Sequence, residues 1–361
     1  MIGIRDVARH LNISIGTVSR ALNGKADVNA ETRQRVLAAA ATLGYSPNQS
    51  GRSLRHGTTD VIAVLIPTSR EQQLFDFGFG EVLEALRRVL SGHGLDLAVF
   101  LYDEDLDAFA HLCRVAERRL ADGLIIADTL RTDRRIDYLI EKKIPFVAFG
   151  RTRSGGTHAW VDIDIPGAVT QAVGRLVQEG HRRIGLLMTE NERNFMGLAR
   201  EAFRRALKAH GCEADAELVQ RVSHGEDSGY LGGSELLALK KPPTAVLTQD
   251  GKVAVGLYRR LNEAGLQPGR DVAVVSLLGD TQAQFLSPAL TSFHAQFGLV
   301  GTRLAQALLA SLPKWASDPK APAIQELIPM VMSASESSGA IRPTAPSRDH
   351  LLHPAMLSRP T

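Results

Sequence analysis

IRDVARHLNISIGTVSRALN, residues 4–23, is the stretch that decides how the amino-terminal part of the chain folds. Its apolar residues at 4, 7, 8 and 11 have the spacing of one helix face and predict a first helix. Ser14 is a good N-cap for a second helix, residues 15–22, which Asn23-Gly24 would end. Asn29 can cap a third helix, residues 30–43. The pattern predicts a helix-turn-helix, although a helical hairpin without any role in DNA binding has the same spacing.

Positive charge is concentrated in this amino-terminal region. Residues 1–58 contain eight basic and three acidic residues, whereas residues 59–361 contain 34 basic and 36 acidic residues. A small basic module at one end of a chain is typical of a protein that binds a polyanion such as DNA. An excess of this size in so short a segment also arises by chance, so charge alone leaves the function open.

The composition excludes several classes of protein. Of the 361 residues, 44% are hydrophobic and 22% are charged, which is ordinary for a soluble globular protein. The two cysteines, Cys113 and Cys212, lie far apart and fit neither a disulfide framework nor a zinc site. The longest apolar run, residues 61–66, is too short to span a membrane, and the first residues lack the apolar stretch of a secretory signal. We therefore expect a soluble cytoplasmic protein.

Beyond residue 59 the sequence alternates between short β-rich runs and amphipathic helical segments. This alternation predicts an α/β fold of parallel sheets with helices on both faces. The strand at 61–65 with its helix at 80–90 resembles the pair at 184–188 and 197–210, which predicts two doubly wound subdomains with a ligand cleft between them. The predicted strands are 61–66, 95–101, 123–127, 145–149, 184–188, 245–248 and 272–277. The predicted helices are 80–90, 106–120, 134–143, 167–179, 197–210, 229–239, 251–264 and 298–309.

The amino-terminal motifs resemble a known family of DNA-binding proteins. Ile4-Arg5-Asp6-Val7-Ala8, residues 14–23, Thr32-Arg33 and residues 43–48 look like the DNA-binding head of the lactose/galactose repressor family. The chain up to about residue 333 resembles that family's effector domain, which is similar to periplasmic binding proteins. The resemblance implies a helix-turn-helix head over 1–46, a hinge over 47–59 and an effector-binding and dimerisation domain over 60–333. The tail, 334–361, is rich in Ser, Pro, Arg and Ala, and we expect it to be loose.

The resemblance assigns roles to residues of the second helix. In this family, bases are read by the first two residues of that helix and by the arginine five positions further along the chain. The resemblance implies this role for Ile15, Gly16 and Arg20. Arg20 can donate two hydrogen bonds to guanine, and Ile15 can contact a thymine methyl group. Gly16 departs from the family, in which this position usually carries a side chain, and Ile15 also fits a place in the core. Phosphate contacts are implied for Thr17, Ser19 and Asn23.

The segment 47–59 resembles the family's hinge helix, which folds against DNA as a dimer. The resemblance implies that Leu54 enters the minor groove as an apolar wedge, and that Arg52 and Arg55 meet phosphates. Gly51 stands where the family usually has alanine. Because glycine lowers helicity, the order of this hinge would depend more heavily on DNA or on the effector.

The resemblance also places an effector site at the carboxyl ends of strands beside the cleft. Carboxylate and amide groups can bind sugar hydroxyls, arginine can donate to several, and an aromatic ring can stack on a sugar face. Alternatively, Asp76 and Asp162 cap helices, Arg200 is a surface charge and Phe297 belongs to the core. The chain lacks the paired aspartates that the family usually shows near Asp280. The implied effector contacts are Asp76, Phe79, Arg151, Trp160, Arg200, Gln249, Asp250 and Phe297.

These features favour a transcription regulator over two other classes of protein. The resemblance implies a homodimer joined by the helices at 80–90 and 251–264, which would bind a near-palindromic operator and repress carbohydrate-utilisation genes. Its effector would be a sugar or, alternatively, a non-sugar metabolite such as a nucleobase. A sugar-binding transport protein would need an export signal and no basic head. Phosphate-binding glycine loops, nucleophile elbows and metalloprotease motifs are missing, so we expect no catalysis, no cofactor and no metal. The tail has no heptad, which disfavours a coiled-coil tetramer.

Overall fold

The computed structural model divides the chain into two compact units, residues 1–60 and 61–361. It describes residues 2–22, 25, 27–45, 58–68, 78–103, 107–189, 193–223, 225–279, 285–318 and 321–340. Several predicted functional residues lie outside these ranges, so their roles stay predictions: Asn23, Arg52, Leu54, Arg55 and Asp76. Gly51, Asp280 and residues 341–361 also lie outside them.

The amino-terminal unit contains the three helices that the sequence predicts. They are α1 (Ile4–Leu11), α2 (Ile15–Leu22) and α3 (Ala30–Thr42). One face of each helix contributes to a small core, in which Val7, Val18 and Val36 are fully buried. The predicted helix-turn-helix is confirmed.

Side-chain caps fix where the second and third helices begin. The backbone N–H of Thr17 donates to the Ser14 hydroxyl at 3.0 Å, and that of Thr32 donates to Asn29 Oδ1 at 2.7 Å. Each cap satisfies one of the unpaired amides of a helix start and contributes about 1 kcal/mol. α3 ends one residue earlier than predicted because Leu43 is its C-cap.

The larger unit begins with a six-stranded sheet, sheet 1. Its strands are β1 (Val61–Thr68), β2 (Asp96–Asp103), β3 (Gly123–Ile126), β4 (Phe146–Phe149), β5 (Trp160–Ile163) and β11 (Gln325–Ile328). They are parallel and lie in the order β11-β5-β4-β3-β1-β2. The helices packed on this sheet are α4 (Phe79–Ser91), α5 (Ala108–Glu117), α6 (Arg134–Glu141) and α11 (Phe297–Ser311).

A second six-stranded sheet, sheet 2, follows in the chain. Its strands are β6 (Ile184–Thr189), β7 (Val219–Val222), β8 (Ala245–Thr248), β9 (Ala273–Ser276), β10 (Thr291–His294) and β12 (Val331–Ser333). They lie in the order β12-β10-β9-β8-β6-β7, and β12 runs antiparallel to β10. The helices packed on this sheet are α7 (Ile165–Gln178), α8 (Asn194–Ala209), α9 (Glu226–Ala238) and α10 (Gly251–Glu263).

Each sheet has an apolar cluster on both of its faces, which is the arrangement of a doubly wound subdomain. The chain passes between the subdomains three times, after β5, after β10 and after β11. The prediction of two such subdomains is confirmed. Among the helices that the structure describes, none combines the length and the hydropathy needed to cross a membrane.

Five strands escaped the sequence prediction, namely β5, β7, β10, β11 and β12. Each has only three or four residues, and β7, β11 and β12 have alternating or mostly exposed side chains. A continuous apolar run, such as that of β8, identifies a strand that is buried on both faces. Short strands with exposed side chains have no such run and are therefore not predicted. Two helices also begin three residues earlier than predicted, at Asn194 and at Glu226.

The start of the predicted loose tail packs instead against sheet 2. Residues 336–338 form a short 3-10 helix in which Ser337 and Ser338 are fully buried. The Ser337 hydroxyl donates to the Val274 carbonyl at 2.7 Å and accepts from the Thr291 backbone N–H at 2.7 Å. Small hydroxyl side chains can satisfy buried backbone groups, which composition alone does not reveal.

Candidate functional site

The exposed face of α2 is the candidate DNA-reading surface of the head. Val18 and Ala21 point into the core, whereas the side chains at the start of the helix are exposed. Ile15 is 45% exposed, so the alternative that it belongs to the core is wrong. Gly16 and Arg20 are also exposed. A helix with this division can present one face to a major groove while its other face holds the bundle together.

Arg20 has a weak local partner. Its Nε lies 3.5 Å from Asp27 Oδ2, and both side chains are more than half exposed. Exposed ion pairs of this kind contribute about 0–1 kcal/mol, so the guanidinium can exchange this partner for another. Thr17 takes part in the helix cap, since its hydroxyl lies 2.9 Å from that of Ser14. Ser19 is half-buried on the same helix.

In the larger unit, loops that follow strands of the two sheets contact each other. The loop after β3 meets the start of α8, which follows β6: the Asn194 backbone N–H donates to the Thr129 carbonyl at 2.9 Å. The Asn194 side chain donates to the Arg151 carbonyl at 2.7 Å. Leu130 and Arg193 form an isolated β-bridge. The carboxyl ends of sheet 1 and sheet 2 therefore face each other, as a ligand cleft between doubly wound subdomains requires.

A cavity of about 370 Å³ opens where these loops meet, and it is rich in arginine. Arg193 is paired with Asp128 at 3.4 Å, Arg131 with Glu201 at 3.1 Å, and Arg200 donates to the Thr189 carbonyl at 3.1 Å. A guanidinium carries five N–H donors, so each of these groups can serve a ligand and its present partner together. The lining residues are Leu130, Arg131, Thr132, Arg193, Asn194, Gly197 and Arg200.

Arg151, which follows β4, has one guanidinium nitrogen without a partner in the described part of the chain. Its Nε donates to Asp162 Oδ2 at 2.8 Å, and its guanidinium lies 5.8 Å from the centre of the Trp160 ring. The second terminal nitrogen, Nη2, is buried and has no hydrogen-bond partner among the described residues. Burial raises the pKa of Asp162, and the bond from Arg151 opposes that shift. Asp162 is therefore an ion-pair partner rather than a helix cap; Asp164 caps α7 instead.

Aromatic rings stand at the start of two helices on sheet 1. Phe79 begins α4 and stacks on Phe149 at the end of β4, with ring centres 6.4 Å apart and planes 24° apart. Phe297 begins α11, and its ring lies so close to Gly78 that a Cβ there would collide with it. All three rings are only partly buried. Trp160, at the first residue of β5, packs against the core on the other face of sheet 1.

Gln249 and Asp250 are engaged within the protein itself. Gln249 Oε1 accepts from the backbone and the hydroxyl of Thr189 at 2.8 and 2.7 Å, and its amide donates to Asp250 Oδ2 at 3.0 Å. Asp250 Oδ1 caps α10 by accepting from the Val253 backbone N–H at 3.0 Å. Both side chains are buried. Their geometry suits residues that fix the ends of β6 and β8 around the cleft.

Sequence reasoning missed a buried network that shapes the loop after β3. Arg135 and Asp133 form an ion pair at 2.7 Å and are almost fully buried. Arg135 also donates to the carbonyls of Ala127 and Asp128 at 3.3 and 3.0 Å, and Asp133 accepts from the Leu130 backbone N–H at 3.1 Å. Burial disfavours the charged form of Arg135, but its bonds to Asp133 prevail and raise its pKa. The only sequence signal was two charged residues at a predicted helix start, an ordinary surface pattern.

Arg193 was missed for a different reason. It follows β6 and reaches Asp128 of the other subdomain, 65 positions away in the chain. The sequence Glu192-Arg193-Asn194 before a predicted helix was a usable signal, because the carboxyl end of a buried strand lies at the cleft. Among the described residues, no group of His, Cys, Asp and Glu side chains could hold a metal ion.

Two family models match the chain. Residues 3–48, which contain the three helices of the head, match bacterial regulatory proteins of the lacI family. Residues 173–337, which contain sheet 2 together with α11 and β11, match the periplasmic binding protein-like domain.

Relatives extend the similarity along the chain. The HTH-type transcriptional regulator RafR of Escherichia coli is 36% identical over 269 residues, which are 74% of this chain and 79% of RafR. The HTH-type transcriptional regulator AglR of Rhizobium meliloti (strain 1021) is 32% identical over 358 residues, 98% of each chain. The solved complex of the transcriptional regulator CelR with cellobiose is 25% identical, with a TM-score of 0.70, and covers 93% of this chain and 100% of that one. Together with the head and the two doubly wound subdomains, these similarities show that the chain belongs to the lacI family of bacterial regulatory proteins.

Proposed function

We propose that this protein represses carbohydrate-utilisation genes, that it binds a near-palindromic operator as a homodimer, and that a sugar in the cleft controls its affinity for that operator. The observation that carries the proposal is the exposed face of α2, where Ile15, Gly16 and Arg20 stand on a helix whose opposite face is fully buried. Because residues 3–48 match bacterial regulatory proteins of the lacI family, we infer that this face contacts DNA.

Recognition of the operator's base sequence would depend on Arg20 and Ile15. Arg20 would exchange its exposed ion pair with Asp27 for two hydrogen bonds to a guanine, and Ile15 would contact a thymine methyl group. Gly16 has no side chain that could contact a base, but it allows the backbone to approach the groove closely. Thr17, Ser19 and Asn23 would hold phosphates, and Leu54 would wedge the minor groove between Arg52 and Arg55.

Sugar binding would depend on the donors and rings around the cleft. Arg151 offers an unused buried donor, and Arg200 lines the cavity beside Arg193. The partly buried rings of Phe79 and Phe297 offer apolar surface for the faces of a sugar. The CelR–cellobiose complex supports a saccharide as the ligand class. In this proposal Asp76 adds a contact to the sugar, Trp160 lies beside the Arg151 guanidinium, and Gln249 and Asp250 hold the strand ends in place.

Control of DNA binding requires that the sugar bind two arrangements of the subdomains with different affinity. The contacts between Asn194 and Thr129 and between Arg193 and Asp128 join the two subdomains across the cleft. A sugar held by both sides would change these contacts and with them the ordering of the hinge around Leu54. The dimer would form through α4 and α10, as the family resemblance implies.

A thermal-shift screen of sugars and nucleobases tests the effector. A sugar that binds only the folded protein at about 100 times its Kd adds about 2.7 kcal/mol of stability. The same sugar should stabilise Arg151→Lys much less, because lysine keeps the charge beside Asp162 but loses the second donor. Arg114→Lys, at an exposed position of α5, is the matched control and should respond like the wild type. Stabilisation by a nucleobase and by no sugar would contradict the assignment of a sugar.

A further inference from the structure

A second cavity, of about 570 Å³, lies at the opposite end of sheet 1 from the cleft. It borders Phe146 and Ala159, which stand at the amino ends of β4 and β5, and Ala310 in the last turn of α11. The cleft is formed at the carboxyl ends of the strands, whereas this cavity lies at their amino ends. The cavity in the cleft and this second cavity therefore share no lining residue. The volume is in the range of small-molecule sites, about 300–1,000 Å³.

His158 is a buried polar side chain that lines this cavity. It is 9% exposed and stacks on Phe146 with ring centres 5.5 Å apart. Neither Nδ1 nor Nε2 has a hydrogen-bond partner within the described residues. Burial lowers the pKa of His158; the Gly155 backbone beside the ring opposes this shift but makes no hydrogen bond of normal geometry. The ring is therefore neutral at neutral pH, with one nitrogen able to accept and the other able to donate.

The other lining residues restrict the ligand that could satisfy this ring. Most are apolar, including Ile140, Ile144 and Pro322. The described lining contains no lysine or arginine, and its one acidic residue is Asp318. Among these described residues an anion would find no positive charge to compensate for its lost hydration, which is costly. An uncharged molecule with an apolar body would fill the space and could give a hydrogen bond to the imidazole.

We propose that this cavity is a second small-molecule site, separate from the effector cleft, and that it binds an uncharged aromatic alcohol whose hydroxyl donates to a ring nitrogen of His158. Burial of an unpaired polar group is unfavourable, so a ligand that pairs it has an advantage over one of the same shape that does not. The proposal does not depend on which molecule the cleft binds.

Three probes of similar size test the ligand class on the full chain. Phenol carries the hydroxyl, toluene replaces it with a methyl group, and benzoate carries a negative charge. We expect titration by ligand-observed NMR to give phenol a Kd about five- to tenfold lower than that of toluene, and to show no binding of benzoate. Equal affinity for phenol and toluene, tighter binding of benzoate, or no binding of phenol would overturn the proposal.

Two variants test the place of binding. His158→Phe keeps the stacked ring but removes its nitrogens, so the preference for phenol over toluene should fall to less than twofold. Ala310→Phe adds bulk at an exposed position of the lining and should weaken both probes at least fivefold. Ala209→Phe, also at an exposed helical position, is the matched control and should bind as the wild type does. Should His158→Phe fail to fold, the outcome with Ala310→Phe decides, and unchanged binding in that variant contradicts the proposal.

Discussion

At the scale of single residues, substitution of Arg20 tests whether this side chain recognises the base sequence or only adds to the general attraction to DNA. Arg20→Ala removes a bidentate donor, so we expect preference to relax at one base pair per half-site, by about 1–3 kcal/mol. Arg9→Ala removes another exposed charge of the head and should weaken binding uniformly, without changing base preference. Selection from random duplexes followed by competition binding measures both effects. Unchanged preference in Arg20→Ala would refute its role.

The sequence points to some candidate site residues and hides others for physical reasons. The family resemblance implies Arg151, and its position after a buried apolar strand agrees with that role, because in parallel sheets such strand ends lie at the cleft. The partner of Arg193 could not be found, because Asp128 belongs to the other subdomain and only the fold brings them together. Gln249 and Asp250 follow β8 as the sequence predicts, but their bonds to Thr189 and Val253 emerge only from the structure.

At the scale of elements, α9 and α10 approach each other so closely that only glycine fits between them. A Cβ on Gly256 would collide with the Glu226 carbonyl oxygen, and one on Gly229 with that of Val253. Gly256→Ala should therefore lower the free energy of unfolding by about 1–3 kcal/mol through overpacking. Gly298→Ala, where an added Cβ meets nothing within 4 Å, is the matched control and should be neutral or slightly stabilising. Calorimetric unfolding measures both variants; equal effects would contradict this packing.

The segment that follows β12 is tied to sheet 2 by His181. Its Nε2 faces the Gly339 carbonyl at 3.0 Å and therefore donates, and its Nδ1 lies 3.0 Å from the Thr244 hydroxyl. Burial lowers the pKa of His181, although the bond to Gly339 opposes that shift. A lowered folded-state pKa means that the unfolded chain binds the proton more strongly. Stability should therefore be constant above the ordinary histidine pKa and fall as the pH drops below it.

Thermal unfolding between pH 7.5 and 5.5 measures this dependence. His181→Gln should show a shallower loss of Tm toward acid than the wild type. Burial also lowers the pKa values of His111 and His158. Part of the loss of Tm toward acid therefore remains in both the wild type and the variant. His210→Gln, at an exposed position, is the control and should match the wild type. An unchanged slope in His181→Gln would contradict the prediction.

Elements differ in how far the sequence predicts them. β8 and β9 are buried along their whole length, so their apolar runs identified them. β7 and β11 each have four residues, of which only the last is buried, so they show no continuous apolar run. The segment at 336–338 appeared loose because serine is common in disordered tails, yet here hydroxyls satisfy backbone groups of β9 and β10. Tertiary hydrogen bonding decided its structure.

At the scale of the whole molecule, a DNA-reading head and a ligand-binding pair of subdomains occur in one chain, and their coupling is the central claim. The head shows exposed side chains on one face of α2, and the larger unit shows loops of both sheets in contact across a cleft. The most direct test compares the affinity of the full chain for a duplex selected from a random library with its affinity for a scrambled duplex. The measurement is made at one salt concentration, with and without a stabilising sugar. We predict at least about 10³-fold preference for the selected duplex and a change in that preference when the sugar is added. Equal affinity for the two duplexes under both conditions would contradict the account.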